Sequence, residues 1–180
     1  MPGRIDHITV LCFAKAMKKL MIFVSLASFL WLPVSTAQSS DFIAARTAYI
    51  AKDFDKAARL FMELAREGDH RGQSMIGYMY EQGQGVQQNL SESLIWHQTA
   101  AQLGNGFSAH QVALAHVSGQ GVQQDPVKAN MWFTISIQRG FGWADRLLLE
   151  KNMTRDQVIR ARQMAGDYMK KHNLTYKTKK

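Results

Sequence analysis

The hexapeptide GQGVQQ stands at positions 83–88 and again, letter for letter, at 119–124, an offset of 36 residues. The same interval returns throughout the middle of the chain. Gly68, Gly104 and Gly140 keep it, as do Asp53, Asn89 and Asp125, and Leu60, Trp96 and Trp132. Two further series, Ala57/Ser93/Ala129 and Gly72/Ser108/Ala144, hold small side chains only. Self-similarity at a fixed period of this size marks stacked supersecondary units rather than one irregular globule.

Each series has a physical reading. Asp and Asn suit helix N-caps because a side-chain oxygen accepts from an otherwise unpaired backbone N–H. Pro126, directly after Asp125, suits the first helical position. Glycine stops a helix by taking the left-handed conformation without steric cost. The spacing therefore predicts helices from about 54, 90 and 126, ending at Gly68, Gly104 and Gly140, with Ala57, Leu60, Phe61 and Leu64 on the apolar face of the first. Between each of these stops and each GQGV lies a second helix-length run, HRGQSMIGYMYEQ and GFSAHQVALAHVS. Gly77, inside the first of these, is expected where a side chain would clash, since a helical glycine costs about 1 kcal/mol against alanine.

Upstream, DFIAARTAYIAKDFDKAARLFMELAREG reads as the same unit with a loop five residues shorter. Downstream, GFGWADRLLLEKN starts another helix and leads into MTRDQVIRARQMAGDYMKK. There Thr154 and Gln157 form a capping box, and Val158, Ala161, Met164, Ala165 and Tyr168 mark one face. This reads as a terminal helix that covers the last open apolar surface of the stack. The expected fold class is all-α: an α/α solenoid of helix-turn-helix repeats over residues 38–150. Its units span about 41–68, 69–104 and 105–140, with a partial unit at 141–150, a capping helix at 151–171 and a basic, disordered tail at 172–180.

The N-terminal stretch is of another kind. From Met17 the chain reads MKKLMIFVSLASFLWLPVSTAQSS: a basic start at Lys18 and Lys19, an apolar run from Leu20 to Leu32, then small residues. That is the layout of a secretory signal peptide cleaved near Ala37/Gln38, preceded by an upstream extension. Thirteen apolar residues fall short of the roughly 20 needed to span a bilayer, so no stable membrane span is expected after cleavage. The expected location is periplasmic or secreted. The only cysteine, Cys12, lies in the removed part, so the core must hold by packing rather than disulfides. Four of the basic residues and one acidic residue also leave with residues 1–37, lowering the net charge by three from +8. Five lysines crowd the last eleven residues, and such a tail is read as solvated rather than as a nucleic-acid site.

With the pattern G…small…G-x-x-Y-x-x-G-x-G-V…N/D…W…A-A-x-x-G assembled, the chain resembles the Sel1-like repeat family, relatives of the tetratricopeptide repeats. The first copy carries it on Gly68, Gly72, Gly77, Tyr80, Gly83, Gly85, Val86, Trp96, Ala100, Ala101 and Gly104. The second carries it on Gly104, Ser108, Ala113, Gly119, Gly121, Val122, Asp125, Ala129, Trp132 and Gly140, with His116 in place of the tyrosine and Ser136-Ile137 in place of the alanine pair. The resemblance implies a solenoid that binds proteins, with no catalytic residue and no cofactor.

Chemical motifs are weak by comparison. A phosphate-binding reading of GQGV needs a preceding strand and a following Lys-Ser/Thr or third glycine; here a helix-like segment precedes it and Gln87-Gln88 follow. The interhelical turn accounts for both glycines, and Val86 and Val122 become apolar plugs; the repeated Gln-Gln has no reading. No His pair has ligand spacing on a helix face. His97 falls in register with Phe61 and Phe133, and His116 with Tyr80, which points to packing positions with one satisfied nitrogen. Asp55, Glu63, Glu67 and Asp69 have the spacing of a solvated helix surface. Nucleophile motifs such as G-x-S-x-G are absent, and Trp96 and Trp132 read as core.

What remains is surface. In stacked hairpins the helices over 70–82 and 106–118 are expected to line the concave side. The positions between their packing residues are Ser74, Met75, Tyr78, Met79 and Gln82, then His110, Gln111, Leu114 and Ala115. Tyrosine and methionine carry large, adaptable apolar area, although Met75 and Met79 could equally pack against the neighbouring helix. The favoured function is a non-enzymatic interaction module or adaptor for an unidentified protein or peptide. Its rivals are a cell-wall or β-lactam hydrolase and a periplasmic regulator whose basic tail contacts envelope polymer. A solenoid this short can also form a homodimer through one end.

Overall fold

A computed structural model describes residues 34–174, with side chains from residue 40. Residues 1–33 and 175–180, which hold the basic and apolar regions of the predicted signal and most of the lysine tail, lie outside the described residues. Among the described residues the secondary structure is wholly helical: α1 (Val34–Ile50), α2 (Phe54–Arg66), α3 (His70–Gln82), α4 (Leu90–Gln102), α5 (Gly106–Ser118), α6 (Pro126–Ile137), α7 (Trp143–Glu150) and α8 (Arg155–Lys171). The chain divides at Ala37/Gln38 into two compact units, and the second holds the repeats.

The periodic residues act as their chemistry predicts. Asp53, Asn89 and Asp125 are N-caps whose side chains accept from the N–H groups of Lys56, of Ser91 and Glu92, and of Val127 and Lys128. Gly68, Gly104 and Gly140 follow the helix ends with φ of 88°, 85° and 93°. Thr154 and Gln157 form the capping box at the start of α8. Asp69, read from the sequence as part of a solvated surface, is instead the N-cap of α3: it accepts from the Arg71 N–H and pairs with its guanidinium at 2.6 Å, with only 6% of its side chain exposed. Acid and cap residues share a chemistry, and spacing alone cannot separate a cap from a surface charge.

The GQGVQQ segments are interhelical turns. Gly83 and Gly119 are the left-handed C-caps of α3 and α5. Gly85 and Gly121, at φ 66° and 70°, lie on the first turn of the preceding repeat's helix. A Cβ at Gly121 would stand 2.5 Å from the Leu90 carbonyl oxygen, and one at Gly85 would collide with that of Phe54. The glutamines also have work: Gln88 Nε2 donates to the Glu81 carbonyl at 2.8 Å and Gln124 Nε2 to that of Ser118 at 3.1 Å. Each second glutamine thus satisfies a carbonyl that the helix end leaves unpaired.

Helices adjacent in sequence pack on one another from α2 to α7, and α8 returns to pack on α6. Two apolar clusters result. The first joins α1 to α3 around Phe61, Ile76 and Met79; the second joins α4 to α8 around Val112, Trp132 and Phe133. His97 sits near their boundary. Its ring faces Gly77, where a Cβ would come within 3.1 Å of Nε2. Gly77 is therefore small because the facing side chain is an imidazole on another helix. Residues 172–174, assigned above to the tail, instead close α8: the Leu174 N–H donates to the Met169 carbonyl at 2.8 Å and the Leu174 side chain is buried.

Candidate partner-binding face

Helices α3 and α5 lie side by side in consecutive units and carry the nine predicted contact residues. Two of them are core, not surface. Met79 is fully buried with Phe61 and Ile76, and Ser74 is 6% exposed. Each faces a packed neighbour of α3, so a ligand cannot reach them. Met75 is half-buried against the same cluster. Its neighbour-packing reading therefore holds at least in part, and that of Met79 in full.

The others remain accessible. Gln82 is exposed, and Leu114 is 37% exposed. Tyr78 is half-buried beside Tyr49, whose phenol is raised above its ordinary value, first by burial and then by Tyr78. Tyr49 Oη in turn donates to Gln84 Oε1 at 2.8 Å, fixing α1 to the first turn segment. His110 is committed to an internal contact: Nε2 lies 2.9 Å from Asp145 Oδ2 on α7, and the ring packs on Phe133.

Gln111 and Leu114 rim a cavity of about 90 Å³ with Glu81, Leu90, Leu94 and His97. Burial pushes the Glu81 carboxyl up from its ordinary value, and Gln111 Nε2, donating at 3.5 Å, offsets part of that. The cavity is far below the several hundred Å³ of cofactor sites. It has room for one small side chain, with Glu81 as the acceptor. No spacing in the sequence marks Glu81, because it stands alone at a helix–helix seam that only the packing of α3 and α5 creates.

One serine stands beside a histidine. Ser108 Oγ is 3.2 Å from His97 Nδ1, but the two residues are 0% and 2% exposed. Burial also holds the imidazole down to about 4, and its Nε2 has no hydrogen-bond partner. A sealed hydroxyl next to a neutral ring serves packing: no substrate reaches it. His116 is likewise buried, and its value is lowered chiefly by that burial. Among the described residues no group of three or more His, Cys, Asp or Glu side chains is placed to hold a metal ion. Nor is any described helix long and apolar enough to cross a membrane.

Stacked antiparallel helix pairs, capped at one end and presenting paired helix faces, define an α/α solenoid. Residues 70–105 and 107–141 each match the Sel1 repeat family model, so the chain carries two Sel1 repeats. Such repeats typically serve as non-catalytic scaffolds for protein–protein contacts. Among solved structures the chain is similar to c5321, a protective antigen present in uropathogenic Escherichia coli strains displaying an SLR fold, with 25% identity and a TM-score of 0.71. The match covers 75% of this chain and 30% of that one. It is also similar in fold to a Sel1 repeat protein from Oxalobacter formigenes, with 22% identity and a TM-score of 0.56, over 71% of this chain and 55% of that one. The chain thus spans about a third and about half of the lengths of these two proteins.

Proposed function

We propose that this protein is an exported adaptor that holds a protein or peptide partner against the α3/α5 face. The observation that carries this reading is the Glu81 cavity, flanked by accessible Tyr78, Gln82, Gln111 and Leu114 on two helices held in register by the repeat. An apolar rim around one partly buried acceptor suits a small apolar side chain next to a donor such as a backbone N–H or a lysine. The partner class follows from the scaffold rather than from catalytic chemistry.

Export rests on the segment from Met17 to Ala37 and is tested separately: the N-terminal sequence of protein recovered from the periplasm should begin at Gln38. The binding face is tested by crosslinking in living cells with and without Tyr78→Ala plus Leu114→Ala. Loss of specific captured species supports the face, and an unchanged capture profile rejects it. Met79, being core, is not a usable probe.

A further inference from the structure

A second surface lies on the other helices of the repeat. Between α2 and α4 runs an open groove of about 670 Å³, lined by Met62, Arg66, Tyr80, Val86, Glu92 and Trp96. It continues along α2 past Arg59 and Glu63. Arg66 is exposed and Trp96 half-buried.

The repeat shows what such a groove receives. Moved by one period, Trp96 becomes Trp132, Arg66 becomes Gln102 and Gly68 becomes Gly104. In that second copy α8 fills the space. The Tyr168 ring meets Trp132 edge to face at 4.8 Å. The Tyr168 hydroxyl lies beside the Gln102 side chain, without a hydrogen bond of good geometry. Both the Arg139 guanidinium and Leu174 reach Gly104, where a Cβ would stand 3.0 Å from Arg139 Nη2 and 3.5 Å from Leu174 Cδ2. Around Gly68 the corresponding space holds nothing within 4 Å. Burial tracks occupancy: Trp132 is 5% exposed and His116 is buried, whereas their counterparts Trp96 and Tyr80 are only partly covered.

From this equivalence we infer that the α2/α4 groove is a second docking seat, and that it takes an amphipathic helix of a partner protein presenting an aromatic ring to Trp96. The substitution of Gln102 by Arg66 specifies the rest of the ligand. A guanidinium only donates, so the tip of that ring, or a side chain one turn away, supplies an acceptor: a phenolic oxygen or a carboxylate. Aromatic and acidic residues together on one helical face are therefore the expected recognition signature. The seat is independent of the Glu81 face and survives if that reading fails.

The test uses a fluorescently labelled peptide spanning Thr154–Leu174, added to the full chain and followed by anisotropy. The intramolecular copy of α8 keeps its own seat by proximity, so added peptide reports the vacant one. Saturable binding is expected, weakened at least about tenfold by Arg66→Glu and by Trp96→Leu, and by Tyr168→Ala in the peptide, a change of the size that loss of one interface anchor brings. Arg66 is a surface residue, and unchanged helical circular dichroism of its variant excludes a folding failure. The Tyr78→Ala plus Leu114→Ala chain should bind the peptide as well as the parent. Absence of saturation up to about 1 mM, or equal binding by the Arg66 and Trp96 variants, overturns the proposal. Concentration-dependent dimerisation of the chain, abolished by Tyr168→Ala, also overturns it by giving the seat to α8 of a second copy.

Discussion

Acidification should destabilise the repeat domain through His97, and the effect can be isolated. In the unfolded chain the imidazole titrates at its ordinary 6.5, whereas in the fold burial holds it down to about 4. Between these values the unfolded chain binds a proton that the native chain does not, so falling pH favours unfolding. The stability at stake is fully present above about 6.5 and is lost progressively down to about 4. A shift of that size corresponds to about 3 kcal/mol at pH 4, a large part of a typical domain's stability. The comparison chain is His97→Phe with Ser108→Ala. Phenylalanine is the residue at both neighbouring registers, Phe61 and Phe133, and Gly77 faces position 97 without a Cβ. Removing the Ser108 hydroxyl avoids stranding the group that now meets Nδ1 at 3.2 Å. Urea unfolding of both chains at several values between pH 7.5 and pH 4 cancels the contribution of every other titrating group, His116 included. The parent should lose about 3 kcal/mol relative to the variant over that range. A difference that stays constant with pH would refute the buried neutral imidazole.

Gly121→Ala should cost about 2 kcal/mol or more, because φ of 70° is combined with a Cβ only 2.5 Å from the Leu90 carbonyl oxygen; thermal unfolding measures it, and a near-neutral result would dispose of the close approach. Gln124→Ala, which removes only the bond to the Ser118 carbonyl, should cost about 1 kcal/mol, and Gln88→Ala should behave alike through Glu81. Thr154→Ala removes the arm of the capping box in which the Thr154 hydroxyl accepts from the Gln157 N–H and should lower stability by about 1 kcal/mol, seen as a reduced midpoint in denaturant with an unchanged slope.

The repeat made much of the fold legible because its signals are local and redundant. A cap, a stop and a turn each act within a few residues, so Asp53, Asn89 and Asp125 could be assigned from the chain alone, and the period let each copy check the others. The capping box at Thr154 was readable for the same reason. Asp69 was not, because its cap role depends on a helix starting directly after the Gly68 stop, where the two signals overlap. The role of Gln88 and Gln124 was hidden for another reason. A side-chain bond to a helix-end carbonyl needs the turn geometry, and the sequence carries no marker for it.

Which face of a helix stays open is a tertiary property, and there the sequence was least informative. On α3 the positions of Ser74, Tyr78, Met75 and Met79 spread over an arc of about 140°, and its two edges, Ser74 and Met79, are buried because α3 packs on α2 on one side and α4 on the other. Periodicity finds an apolar stripe, but a helix gripped from two sides has no single stripe, and methionine suits a core as well as a contact surface. The same limit concealed the α2/α4 groove. Trp96 and Trp132 are indistinguishable in register, yet one is sealed by Tyr168 and the other is not. The difference originates in α8, a segment outside the period, which covers one copy of a twofold-repeated surface and leaves the other exposed. In a solenoid the repeat therefore specifies how many equivalent seats exist, and the non-repeated terminal elements decide which of them the chain keeps for itself.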